Sequence, residues 1–119
     1  MGTFSVELII ANPSHPQLSA TLRFLVDTGS TWTWIPRPTL EALQIRPRVK
    51  RTITLADGGQ VIRDLGEVLI TIEEETLTTP CVLGDEGDLL LLGAVTLEQF
   101  GLGVDPVRKV LVPVAGFRA

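Results

Sequence analysis

The sequence predicts an all-β domain, mainly strands with one or two short helices, and three observations carry that reading. Apolar Phe4, Val6, Leu8 and Ile10 alternate with Ser5 and Glu7, the period-two pattern of a half-buried strand. Val68, Ile70 and Ile72 repeat it further along. Between them, residues 49–55 and 60–65 flank Ala56-Asp57-Gly58-Gly59, and Asp-Gly supplies the positive φ values that a tight hairpin turn requires.

Taken in order, the strand over residues 4–10 leads to a turn at Asn12-Pro13-Ser14-His15-Pro16. Residues 21–26 form a second strand, nearly continuous in apolar character around Arg23, that runs straight into Asp27-Thr28-Gly29-Ser30. Thr31-Trp32-Thr33-Trp34-Ile35 is again β-prone. Pro36 and Pro38 break it ahead of a short helix over residues 39–43, with Leu40 and Leu43 facing inward. After the hairpin, Gly66 starts another strand, whose exposed end is marked by Glu73-Glu74-Glu75, and a further short strand covers residues 80–83. The polar loop 85–88 precedes Leu89-Leu90-Leu91-Leu92 and Gly93. Thr96 and Gln99 then match a capping box on a helix carrying Val95, Leu97 and Phe100, with Gly101 as its stop. Residues 110–114 form a last strand, which Pro113 pushes toward a sheet edge or an intersubunit position. Strand, turn, strand and helix occur once before the hairpin and once after it, a loose twofold echo.

Composition narrows the function classes. The 119 residues suit one domain over 1–119, and 45% hydrophobic content with a mean hydropathy of +0.32 gives ample apolar material for a core. A net charge of −4, with Arg46, Arg48, Lys50 and Arg51 as the only basic cluster, disfavours nucleic acid as a partner. No apolar run approaches the roughly 20 residues of a membrane helix, and the N-terminus lacks a signal-peptide pattern, so a soluble, cytoplasmic protein is expected. Cys81 stands alone, which excludes an internal disulfide and a cysteine metal cluster and fits a reducing compartment. His15 has no second histidine with which to bind metal or relay protons; no metal and no cofactor are expected.

Asp27-Thr28-Gly29 is the candidate for chemistry. Such a triplet arises by chance in roughly a few per cent of chains this long, so its surroundings must carry the assignment. Leu25 and Val26 precede it, Ser30 follows it, and Leu91-Leu92-Gly93 lies some sixty residues downstream at the start of a helix. This combination resembles the retropepsin-like (retroviral-type) aspartic proteases, and residues 25–36 also resemble their small microbial members. The resemblance spans most of the chain and implies a closed acid protease barrel with one lobe per chain.

It further implies that Asp27 is catalytic, that Thr28 locks two active-site loops together across a homodimer, and that Gly29 lets the backbone approach substrate. Each chain carries one such triplet, so the Asp27/Asp27' dyad forms only when two copies pair. Two carboxylates about 3 Å apart cannot both ionise cheaply and hold one proton between them. The ionised member then draws a proton from an attacking water while the protonated one serves the scissile carbonyl oxygen. The hairpin is read as a flap with Asp57, Gly58 and Gly59 at its tip, closing over a peptide or unfolded protein bound as an added strand. Ser30, Ile53, Leu55, Ala56, Val61 and Leu83 complete the substrate-binding set, with an apolar cleavage preference. A Ser30 hydroxyl donating to the Asp27 carboxylate is expected to lower the acidic limb of the pH profile. Terminal strands of both copies, residues 110–112 and 4–10, are expected to interleave between subunits.

Plainer readings stand beside these. Asp27 could be an ordinary strand-end aspartate. Trp32 and Trp34 read as core or sheet-face residues before substrate platforms, and Cys81 as a small buried hydrophobe. The competing function is a catalytically silent protease-like module for dimerisation or peptide binding.

Overall fold

The computed structural model describes residues 3–114. Among the described residues, nine strands and two one-and-a-half-turn helices follow one another: β1 (Ser5–Asn12), β2 (His15–Val26), β3 (Thr33–Pro36), α1 (Arg37–Ala42), β4 (Val49–Thr54), β5 (Gln60–Ile72), β6 (Glu75–Gly84), β7 (Leu91–Leu92), α2 (Ala94–Gln99), β8 (Leu102–Asp105) and β9 (Val110–Pro113). The fold is all-β, as the alternation predicts.

Seven strands form one sheet in the order β1-β2-β7-β3-β6-β5-β4, and an additional β1–β5 pairing brings the order back on itself. β2 pairs with β7 and β3 with β6 in parallel, while β3 meets β7 antiparallel at Trp34 and Leu91. Exchanging β1 with β5, β2 with β6 and β3 with β7 leaves this ring of pairings unchanged. The twofold echo in the sequence is therefore a symmetry of the fold, with α1 and α2 as the matching helices. β4 falls outside it.

The inward side chains come from the alternating positions. Ile10, Phe24, Ile35, Leu40, Val68, Ile70, Leu83 and Leu92 lose all exposure in one cluster, each large aliphatic side chain contributing about 1.5–3 kcal/mol by its removal from water. Leu40 and Leu43 face this core as predicted, although α1 starts two residues earlier than expected, with Pro38 in its first turn where a missing N–H costs nothing. Buried Asn12 ties the β1–β2 turn to the end of α1: its Nδ2 donates to the Leu43 carbonyl at 2.8 Å, and its Oδ1 accepts from the Ser14 amide.

Several expectations are corrected. Gly66 does not start a strand; β5 runs unbroken through it, and the missing side chain instead allows close packing, since a Cβ there would lie 3.2 Å from the Arg46 carbonyl and 3.3 Å from Leu83. His15 and Pro16 begin β2 rather than extending the turn. Thr96 caps nothing: Gly93 is the N-cap of α2, no side-chain cap bond forms, and the Thr96 hydroxyl points into the core. The strand at residues 102–105 escaped the sequence, and it pairs with β9 in a separate two-stranded sheet. β1 is bonded to β2 along its length and to β5 over Ile9, Ile10 and Ala11, so that stretch has no free edge for an intersubunit sheet.

Candidate active site

Asp27 sits where β2 leaves the core. Its amide donates to the Leu92 carbonyl at 3.0 Å, and the preceding Leu25 and Val26 pair with Leu91 and Leu92 of β7. The loop then turns sharply: the Ser30 amide donates to the Asp27 carbonyl at 3.1 Å, and the Gly29 amide donates to Asp27 Oδ1 at 3.0 Å, which fixes the carboxylate's orientation. On the far side, the carbonyls of Ser30 and Thr31 accept from the amides of Ala94 and Val95, the first residues of α2, at 2.7 and 3.0 Å. The loop is thus pinned at one end to Leu92 and at the other to the start of α2, on either side of Gly93.

Gly93 explains why that segment must end in glycine. A Cβ there would collide with the Trp32 carbonyl and lie 2.9 Å from the Ser30 carbonyl oxygen. Both obstacles are backbone. Asp27 is half-buried, whereas Thr28 and Gly29 are exposed.

A cleft of about 720 Å³ opens beside the loop. Asp27, Gly29 and Ser30 form its floor with Thr31, while Trp32, Trp34 and Leu91 make an apolar wall. Thr52, Ile53, Thr54, Leu55 and Ala56 of the β4 arm cover it, and Gly87, Asp88 and Leu89 close one side. Of the sequence-derived binding residues, Ser30, Ile53, Leu55 and Ala56 line this cleft. Asp57, Gly58 and Gly59 are exposed at the hairpin tip, where Gly58 takes φ +89° and the Leu55 amide donates to the Gly59 carbonyl at 2.7 Å. Val61 lies behind the lining and packs, with Ile53, on a second apolar cluster of Trp34, Leu65 and Val82. Leu83 is a correction: it is fully buried in the main core and presents no surface to the cleft. The Ser30 hydroxyl is another, since it donates to the Trp32 carbonyl at 2.8 Å and not to Asp27.

Trp32, Trp34, Thr52, Thr54, Asp88 and Leu89 are lining residues that the sequence reading did not assign. Trp34 is both core and wall, 6% exposed yet facing the cleft. Asp88 and Leu89 reach the site through the fold alone, because β7 carries the loop before it alongside β3.

A network of ions stands behind this loop and the base of the β4–β5 arm. Arg37 and Lys50 both contact Asp64 at 2.8 Å, Arg63 contacts Asp88 at 2.9 Å and Asp85 at 3.3 Å, and Arg37 reaches Asp85 at 3.8 Å. The hydrogen bonds from Lys50 and Arg37 hold the Asp64 carboxyl below the usual range. For Asp88, burial acts to raise the pKa, but the hydrogen bonds from Arg63 and from the Asp85 amide, together with the Arg63 charge, outweigh it and hold the carboxyl below the usual range. Burial pushes the Cys81 thiol up to about 12. Among the described residues, no group of three or more His, Cys, Asp or Glu side chains is placed to hold a metal ion.

Residues 19–99 match the family model described as "gag-polyprotein putative aspartyl protease". Among solved structures, the chain is similar to EIAV protease complexed with the inhibitor HBY-793, with a TM-score of 0.64 and 21% identity over 84% of this chain and 89% of that one. It is also similar to a retropepsin-like aspartic protease from Rickettsia conorii, with a TM-score of 0.52 and 18% identity over 88% of this chain and 89% of that one. No curated protein matches in sequence.

Proposed function

The chain belongs to the gag-type aspartyl protease family, and from that premise we propose that it is an aspartic endopeptidase whose site is completed by a second copy of itself. The observation that carries the proposal is the seating of Asp27: a half-buried carboxylate, oriented by the Gly29 amide, on the floor of a cleft of about 720 Å³. The reaction needs two carboxyl groups that share a proton. Among the described residues, the only other carboxylate on the cleft lining is Asp88, and it is unsuited to hold that proton, since Arg63 binds it and lowers its pKa. Asp27 of a second copy is the partner of matching chemistry. Thr28 and Gly29, next to Asp27, are exposed and can meet the loop of the second copy.

In this mechanism the ionised Asp27 takes a proton from a water as the water oxygen bonds to the scissile carbonyl carbon. The protonated Asp27' gives its proton to the carbonyl oxygen, which yields a neutral gem-diol. As the C–N bond breaks, Asp27 passes the proton it took from water to the peptide nitrogen and one diol hydroxyl returns its proton to Asp27', which leaves a carboxylic acid, an amine and the dyad with its single proton. The substrate lies extended between the loop and the β4–β5 arm, which acts as the flap, and the Trp32, Trp34, Ile53 and Leu91 wall favours apolar side chains. A single buried thiol is compatible with work in the cytoplasm.

The test is cleavage of an unfolded protein by wild type and by Asp27→Asn, which keeps the shape of the side chain but cannot act as the base. Cleavage by wild type with none by the variant is expected. Equal cleavage by both would remove Asp27 from the mechanism.

A further inference from the structure

The strongest unassigned feature lies beneath the site. Thr33 on β3, Thr79 on β6 and Thr96 on α2 are polar, yet all three are fully buried. Their hydroxyls form a chain, with Thr96 Oγ1 2.6 Å from Thr33 Oγ1 and 2.8 Å from Thr79 Oγ1. Thr33 Oγ1 also accepts the Gly93 amide at 3.1 Å. Valine would fill the same volume without a polar group to satisfy, so filling the core does not account for three adjacent hydroxyls.

We propose that this hydroxyl chain is a positioning device for the Asp27 loop, with Thr96 as its central link. The Asp27 loop leads directly into Thr33, and it is seated by Leu92, Ala94 and Val95 around Gly93. Thr33 and Gly93 are therefore the two anchors between which the loop hangs. The Thr33–Gly93 bond joins them, and Thr96 ties that junction to Thr79 in the long β6 strand. A directional O···O bond of this length fixes a separation more tightly than an apolar contact does. Thr96 touches no substrate; it acts through the backbone that holds Asp27.

The catalytic consequence rests on the protease reading, whereas the structural one does not, so the test has two readouts. The first is amide hydrogen exchange in Thr96→Val, Thr96→Ser and the control Thr71→Val, which removes a comparable hydroxyl pair with Thr76 at the surface. In Thr96→Val the amides of Asp27, Gly93 and Ala94 should exchange about tenfold faster or more, while those of Ile10 and Val68 stay protected. Thr96→Ser restores protection, and Thr71→Val leaves all five unchanged. The second readout is peptide cleavage at enzyme concentrations that saturate the dimer. Thr96→Val should lose about tenfold or more in kcat with KM within about twofold, because misplacing a reacting group costs rate before it costs binding, and Thr96→Ser should recover it. Uniformly faster exchange across the sheet, or unchanged kcat in a folded Thr96→Val, overturns the proposal. A wild type that cleaves nothing sinks the protease reading, and the exchange pattern then decides the positioning role by itself.

Discussion

Replacing Gly93 with alanine adds one methyl group at the point where the Asp27 loop and α2 press together. That methyl meets the Trp32 carbonyl and lies 2.9 Å from the Ser30 oxygen, and neither obstacle is a side chain that can rotate away. Relieving the Ser30 contact alone requires a shift of roughly half an ångström, and the Trp32 contact requires more. Overpacking of this kind costs about 1–3 kcal/mol. At about 4 °C per kcal/mol for a chain of this size, Tm should fall by about 4–12 °C. The shift is taken up by the loop that carries Asp27, so kcat should fall further than stability does, by about a hundredfold for a displacement near 1 Å. Calorimetry and peptide cleavage on the same preparation measure both. A Gly93→Ala protein that melts within about 1 °C of wild type and cleaves as fast would refute the packing argument.

Acid should weaken the fold through the ion network. Asp64 and Asp88 titrate below the ordinary carboxylate range in the folded chain, so their contribution is fully present above about pH 4 and is lost as pH falls through the lowered values. Tm measured from about pH 5 to below about pH 3 should therefore drop more steeply for wild type than for Asp64→Asn or Asp88→Asn; parallel curves would show that these pairs contribute nothing. Cys81, with its thiol pushed up to about 12, should ignore a thiol reagent near pH 8 until the chain is unfolded in guanidinium, and rapid labelling of the native protein would contradict its burial. Phe24, fully buried at the centre of the main cluster, should cost about 3–5 kcal/mol on change to alanine, read as a shift in the denaturation midpoint.

The parts of the fold that local chemistry dictates were legible in the sequence. Asp57-Gly58 marks the hairpin because the turn needs a positive φ, and the alternation in β1 and β5 marks the buried face because pleating imposes a period of two. What could not be read depends on neighbours distant in sequence. Gly66 looks like a boundary, but its role is to let β5 pass close to the Arg46 carbonyl. Thr96 looks like part of a capping box, but Thr33 and Thr79 bind its hydroxyl across 63 and 17 residues. β8 has a glycine at its second position and reads as loop, yet Leu102 and Val104 pack on the core and its edge is satisfied by β9. At the site, Asp27 and the β4 arm were visible, whereas Asp88 and Leu89 come to the cleft only because β7, which follows them, pairs with β2 and β3.

The central claim is that one working site takes an Asp27 from each of two chains. Its most direct test is to mix wild type with increasing amounts of Asp27→Asn, at a fixed wild-type concentration near the dimer dissociation constant, and to follow peptide cleavage. Shared sites predict that the variant suppresses activity by drawing wild-type chains into dead heterodimers, and that wild type alone gains activity more steeply than linearly with concentration. Activity that is indifferent to the added variant and linear in enzyme would contradict the shared dyad and place the whole reaction within a single chain.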